Sequence, residues 1–93
     1  MKIYQSRVFE KKVKKMTKAE KESLDREVRN IAENLSIGEE KKGDLKGVFV
    51  HKFKLKTNLY LLAYRKSGAD LELVMIGSPE NYYRDLKSYL KSK

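Results

Sequence analysis

The chain has 93 residues, enough for one domain, spanning 1–93, with one modest core. Lysine plus arginine number 22 against 13 acidic residues, a formal net charge of +9, which points to a polyanionic partner: nucleic acid first, an acidic protein second, a membrane surface third. The absence of cysteine excludes disulfides and thiolate metal sites, and a single histidine, His51, excludes a multi-histidine site, so no metal or other cofactor is expected.

No apolar run approaches the roughly 20 residues of a membrane span. The opening MKIYQSRVFEKK lacks the apolar centre of a signal peptide, so the cytoplasm is the expected compartment. Ile3 and Tyr4 open with a short strand. Phe9, Val13 and Met16 then recur at helical spacing among lysines, which predicts a basic first helix. Its lysines, Lys11, Lys12, Lys14, Lys15 and Lys18, read as a solvated face or as a grip on RNA or an acidic partner. Thr17-Lys-Ala-Glu20 reads as a capping box opening a second helix. Leu24, Val28, Ile31 and Leu35 fall on one face of that helix, which Ile37-Gly38 should end. Glu39 to Gly43 is expected to be a polar loop.

The apolar period then changes from helical to alternating. Phe49, His51, Phe53 and Leu55 share one face of a predicted strand; Val48, Val50, Lys52, Lys54 and Lys56 share the other. Thr57-Asn58 is a turn candidate. Leu59 to Tyr64 is nearly all apolar, as in a central strand buried on both faces. Ser67-Gly68 marks the next turn, and Leu71 to Ile76 makes a third strand. Ser78-Pro79 suits the start of a last helix, with Tyr82, Leu86, Tyr89 and Leu90 on its apolar face. The order predicts an α+β protein: an antiparallel meander, two N-terminal helices packed on one side, and a short C-terminal helix.

The positive charge is concentrated. Between Lys46 and Ala69 there is no acidic residue, while Lys46, Lys52, Lys54, Lys56, Arg65 and Lys66 lie within it. Lysines alternating on one strand make a row spaced roughly 6–7 Å apart. Such a row suits successive phosphates of a nucleic acid, and it also suits an edge strand protected against aggregation.

Three stretches carry a family resemblance. Gly43-Asp-Leu-Lys-Gly47 leads into the basic strand, Leu59-Tyr-Leu-Leu-Ala-Tyr-Arg65 is the central strand, and Val74-Met-Ile-Gly-Ser78 runs into Glu80-Asn-Tyr-Tyr-Arg-Asp-Leu-Lys87. Together with the element order they resemble the RelE/ParE superfamily of bacterial toxin–antitoxin toxins, in its ParE-like, YafQ-like or RelE-like branches, over essentially the whole chain. The resemblance implies a small toxin with a concave basic sheet, held inactive by a cognate antitoxin. RelE-like members cut mRNA on the ribosome by 2′-hydroxyl attack; ParE-like members inhibit DNA gyrase; a relative without activity would serve only to bind the antitoxin. For RNA cleavage the resemblance implies Lys52, Lys54 and Tyr83 as the catalytic set, the lysines at the phosphate and the tyrosine at a base or the 2′-hydroxyl. Lys46, Lys56, Arg65, Arg84 and His51 are the implied further RNA contacts, although alternation sets His51 opposite the lysine row. Two positions depart from the pattern: Leu61 stands where RelE has an arginine, and Pro79 where relatives carry arginine or histidine. Of the adjacent tyrosines, Tyr82 is in phase with Leu86, Tyr89 and Leu90 and is expected in the core; Tyr83 also lies within reach of Leu86 and Leu90, and it is the resemblance that implies it as the one facing the substrate.

Overall fold

The helices begin where side-chain caps dictate. The Ser6 hydroxyl accepts from the Phe9 N–H at 3.0 Å and opens α1 (Arg7–Lys14). Thr17 opens α2 (Lys18–Glu33): its hydroxyl accepts from the Glu20 N–H at 3.2 Å, while the Glu20 carboxylate accepts from the Thr17 N–H at 2.8 Å. α1 is shorter than its apolar spacing suggests and stops before Met16. The computed structural model describes residues 1–91, and the remaining elements in chain order are β1 (Ile3–Gln5), β2 (Glu39–Glu40), β3 (Phe49–Leu55), β4 (Asn58–Ser67), β5 (Asp70–Gly77) and α3 (Tyr82–Lys91).

The sheet order is β1-β5-β4-β3-β2. The meander β3-β4-β5 is antiparallel, as expected, and β1 adds to β5 in parallel, pairing Ile3 with Leu71 and Gln5 with Leu73. Helices cover both faces. Phe9, Leu24 and Ile31 of α1 and α2 pack on Phe53, Leu55, Leu62, Tyr64, Leu71, Leu73 and Ile76. Tyr82 and Leu86 of α3 pack on the reverse face, against Val50, Leu61, Ala63, Val74 and Met75. β4 lies between these layers, and its residues Leu61, Leu62, Ala63 and Tyr64 are all buried.

A bulge in β5 lets one strand serve both cores. Ala63 pairs with Met75 and Tyr64 with Leu73, so Val74 is the extra residue. Val74 and Met75 consequently both face α3, while Leu73 and Ile76 face the other helices. The buried Ser6 hydroxyl donates to the Val74 carbonyl at 2.5 Å, so the cap of α1 also ties down the bulge.

Several boundaries differ from expectation for local reasons. α2 ends at Glu33, because Asn34 turns extended and its side chain accepts from the Ser36 N–H, starting a 3-10 turn over Leu35–Ile37. Glu39 and Glu40 are not loop: they pair with Val50 and Phe49 as an edge strand too short and too polar to show a period. The β3–β4 turn is Lys56-Thr57, one residue early, with Lys56 at φ 58°. β3 therefore carries two lysines on its α3 face, Lys52 and Lys54, and Lys56 belongs to the turn. The last helix begins at Tyr82 rather than Pro79, since Tyr82 N–H closes a turn on the Pro79 carbonyl and Asn81 adopts φ 59°.

The Glu20 carboxyl is held below its ordinary range, chiefly by the Thr17 N–H. A depressed carboxylate stabilises the fold above its unfolded pKa, and loses that contribution as pH falls through its folded value. Thr17→Ala is expected to cost about 1 kcal/mol, lowering the melting temperature by about 4–8 °C. Glu20→Gln is expected to be less stable than wild type at pH 7, with the gap closing in acid. Thermal melts from pH 7 to pH 3 check both.

Candidate nucleic-acid interface

β3 alternates buried Phe53 and Leu55 with exposed Lys52 and Lys54. β2 pairs only with the first two residues of β3, so the strand is an open edge from His51 onward, and both lysines stand there on the α3 face. Lys52 is opposite Leu61 and Lys54 opposite Leu59, with Gly77 beyond Leu61 on β5. Neither lysine forms an ion pair among the described residues.

α3 sets the two tyrosines apart. Tyr82 is buried and its hydroxyl donates to the Met75 carbonyl at 2.7 Å, while burial pushes its phenol well above the ordinary range. Tyr83 is half-buried, its ring meeting that of Tyr82 edge-on at 5.6 Å and 88°. The Lys41 ammonium stands 5.1 Å from the centre of the Tyr83 ring. Lys41 in turn ion-pairs with Glu39. That hydrogen bond is the main cause that holds the Glu39 carboxyl below its ordinary range, and the charge of Lys52 adds to it. Glu39 thus joins the β3 edge to Tyr83.

The other candidate residues are dispersed. Lys46 lines a cavity of about 370 Å³ with Glu40, Lys41, Lys42 and Gly43. Lys56 is exposed in the hairpin turn. Arg65 is tied to Glu72 at 2.6 Å, four residues along β4 from Leu61, or ~13 Å by the strand rise. Arg84 is exposed beside Asp85 at 3.4 Å. His51 faces α2, as its alternation implies, and its Nε2 lies 2.8 Å from the Glu27 carboxylate. Leu61 is 2 % exposed, and Pro79 lies in the turn before α3. Sequence reasoning missed Glu39 and Lys41, which fell in the segment read as loop. Their spacing of two, which places side chains on one side of an extended segment, was the available signal.

The strap that carries this pair is held by the central strand. The Tyr64 hydroxyl donates to the Leu35 carbonyl at 2.7 Å and accepts from the Gly38 N–H at 2.9 Å. A Cβ on Gly38 would lie 2.7 Å from that oxygen, so the position has no room for a side chain.

A family model describing the ParE-like toxin of type II bacterial toxin–antitoxin systems matches residues 3–87. The chain belongs to the ParE-like toxin family. No curated protein sequence matches it. The crystal structure of the isolated E. coli RelE toxin superposes with a TM-score of 0.64 at 18% identity, covering 95% of this chain and 97% of that one. The ParE-like toxin therefore shares the RelE fold, and membership of a type II system gives it an antitoxin as partner. No described helix is long and apolar enough to cross a membrane. Among the described residues of the ParE-like toxin, no group of three or more His, Cys, Asp or Glu could hold a metal ion.

Gly38→Ala is expected to cost about 1–3 kcal/mol by forcing Tyr64 or the strap aside. Tyr64→Phe, which orphans both backbone groups, should cost a similar amount. Urea denaturation of the two variants measures this.

Proposed function

We propose that this toxin is a ribosome-dependent mRNA interferase acting in the cytoplasm. The observation that carries the reading is the pair of exposed ammonium groups, Lys52 and Lys54, on the open edge of an acid-free strand. Two cations at neighbouring outward positions match phosphodiester oxygens, and Lys46, Lys56 and Arg84 extend the positive surface for the flanking backbone. His51 and Arg65, engaged with Glu27 and Glu72, act at most at its margins.

The chemistry needs little beyond this. The 2′-oxygen of one nucleotide attacks the adjacent phosphorus, the P–O5′ bond breaks, and a 2′,3′-cyclic phosphate and a 5′-hydroxyl result. The 2′-hydroxyl gives up its proton to water and the departing 5′-oxygen takes one, so the proton count is unchanged. The two lysines stabilise the extra negative charge that develops on the phosphoryl oxygens, and an ammonium can supply the proton to the 5′-oxygen. Tyr83 orients the attacking hydroxyl.

A second reading, inhibition of DNA gyrase, is favoured by one observation. Leu61 is buried and Pro79 closes a turn, so neither of these two positions supplies a cation or an acid. Binding to a protein surface needs none.

Induced expression separates the two. The ribonuclease reading expects arrested amino-acid incorporation and cuts in translated messages, mapped by primer extension. Lys52→Ala and Lys54→Ala should each slow cutting about 100-fold or more with unchanged melting temperature. Intact messages with a DNA-damage response would replace this reading with the gyrase one.

A further inference from the structure

Lys41 is the one lysine among the described residues that is not exposed; its side chain is 22% accessible. Long cationic side chains are seldom drawn in without a reason. Here three features hold it. The Glu39 carboxylate pairs with the ammonium, β2 fixes Glu39 opposite Val50, and Lys41 N–H donates to the Val48 carbonyl at 2.9 Å. The Glu39 hydrogen bond is the main cause that raises the Lys41 ammonium above its ordinary range, so it stays charged.

We infer that Lys41, anchored by Glu39, is a positioning residue of the RNA site that acts through the Tyr83 hydroxyl. This rests on the ribonuclease reading. With Lys41 over one ring face and Tyr82 against the ring, that face is closed to a stacking base. The polar group that Tyr83 offers is its hydroxyl. The ammonium over the ring face, itself fixed by Glu39, holds the ring by a cation–π contact and so sets where the hydroxyl points. The hydroxyl so placed meets an oxygen of the RNA, either the 2′-oxygen or a phosphoryl oxygen, by a hydrogen bond. The two-residue strand β2 exists to set this geometry: it carries Glu39 to the β3 edge and delivers Lys41 to α3.

The test is single-turnover cleavage of ribosome-bound mRNA by the purified toxin, with a thermal melt of every variant. Lys41→Met is expected to slow cleavage about 10- to 100-fold, and Lys41→Arg, which keeps a donor cation over the ring, to restore most of it. Tyr83→Phe should be at least as slow as Lys41→Met, and the double variant no slower than Tyr83→Phe alone. Glu39→Gln gives a second route, releasing Lys41 without deleting it; if Lys41→Met fails to fold, the Glu39→Gln and Tyr83→Phe cycle decides the coupling in the same way. Full-rate cleavage by Lys41→Met overturns the inference alone. Multiplying effects in the double variant also overturn it, making Lys41 an independent phosphate contact. A wild type that cuts no message overturns the ribonuclease reading and this inference together.

Discussion

Burial of β4 on both faces is the constraint on which the rest depends. Leu61 and Ala63 face one core, Leu62 and Tyr64 the other, and all four are at most 2% exposed. Fully burying a large apolar side chain stabilises by roughly 1.5–3 kcal/mol, so a short strand with apolar residues on both faces holds two helical layers at once. For a chain of 93 residues this is an economical way to reach stability, because each turn of central backbone contributes to two cores. The bulge at Val74 is the adjustment that lets the neighbouring strand do the same.

The central strand also reaches the surface chemistry. Tyr64 is wholly buried, and its hydroxyl ends beneath the α2–β2 connection, where it satisfies one carbonyl and one N–H. Burial keeps this phenol above its ordinary range, so it remains a neutral donor and acceptor. Through Gly38 it sets where Glu39 emerges, and Glu39 sets Lys41. The geometry at Tyr83 is therefore coupled to the packing of the core rather than to α3 alone.

The site is asymmetric in its cations. Lys52 and Lys54 on the open β3 edge lack carboxylate partners among the described residues, whereas Arg65 is consumed by Glu72 within the fold. Such a pair cancels within itself, so the net charge of +9 is an excess carried by the cations that have no carboxylate partner.

Much of the fold was legible because local chemistry repeats with a period. The capping box at Thr17, the i, i+4, i+7 stripe of α2, the alternation of β3 and the continuous apolar run of β4 each state their own structure. They also gave the class, the outward direction of Lys52 and Lys54, the inward direction of Tyr82 and the orientation of His51. The resemblance to RelE/ParE toxins was carried by the same segments. What the chain alone did not decide is set by partners distant in sequence. β2 is two glutamates whose strand character exists only because β3 lies beside them. The bulge at Val74 is tied to Ser6, 68 residues away. The side of the sheet that α3 covers follows from the turn at Pro79–Tyr82, and the capture of Lys41 by Tyr83 follows from that. Periodicity is a property of neighbouring residues, so the sequence determined the elements and their faces; the meeting of Glu39, Lys41, Lys52 and Tyr83 is a product of pairing and packing between separated segments, and only the tertiary structure decided it.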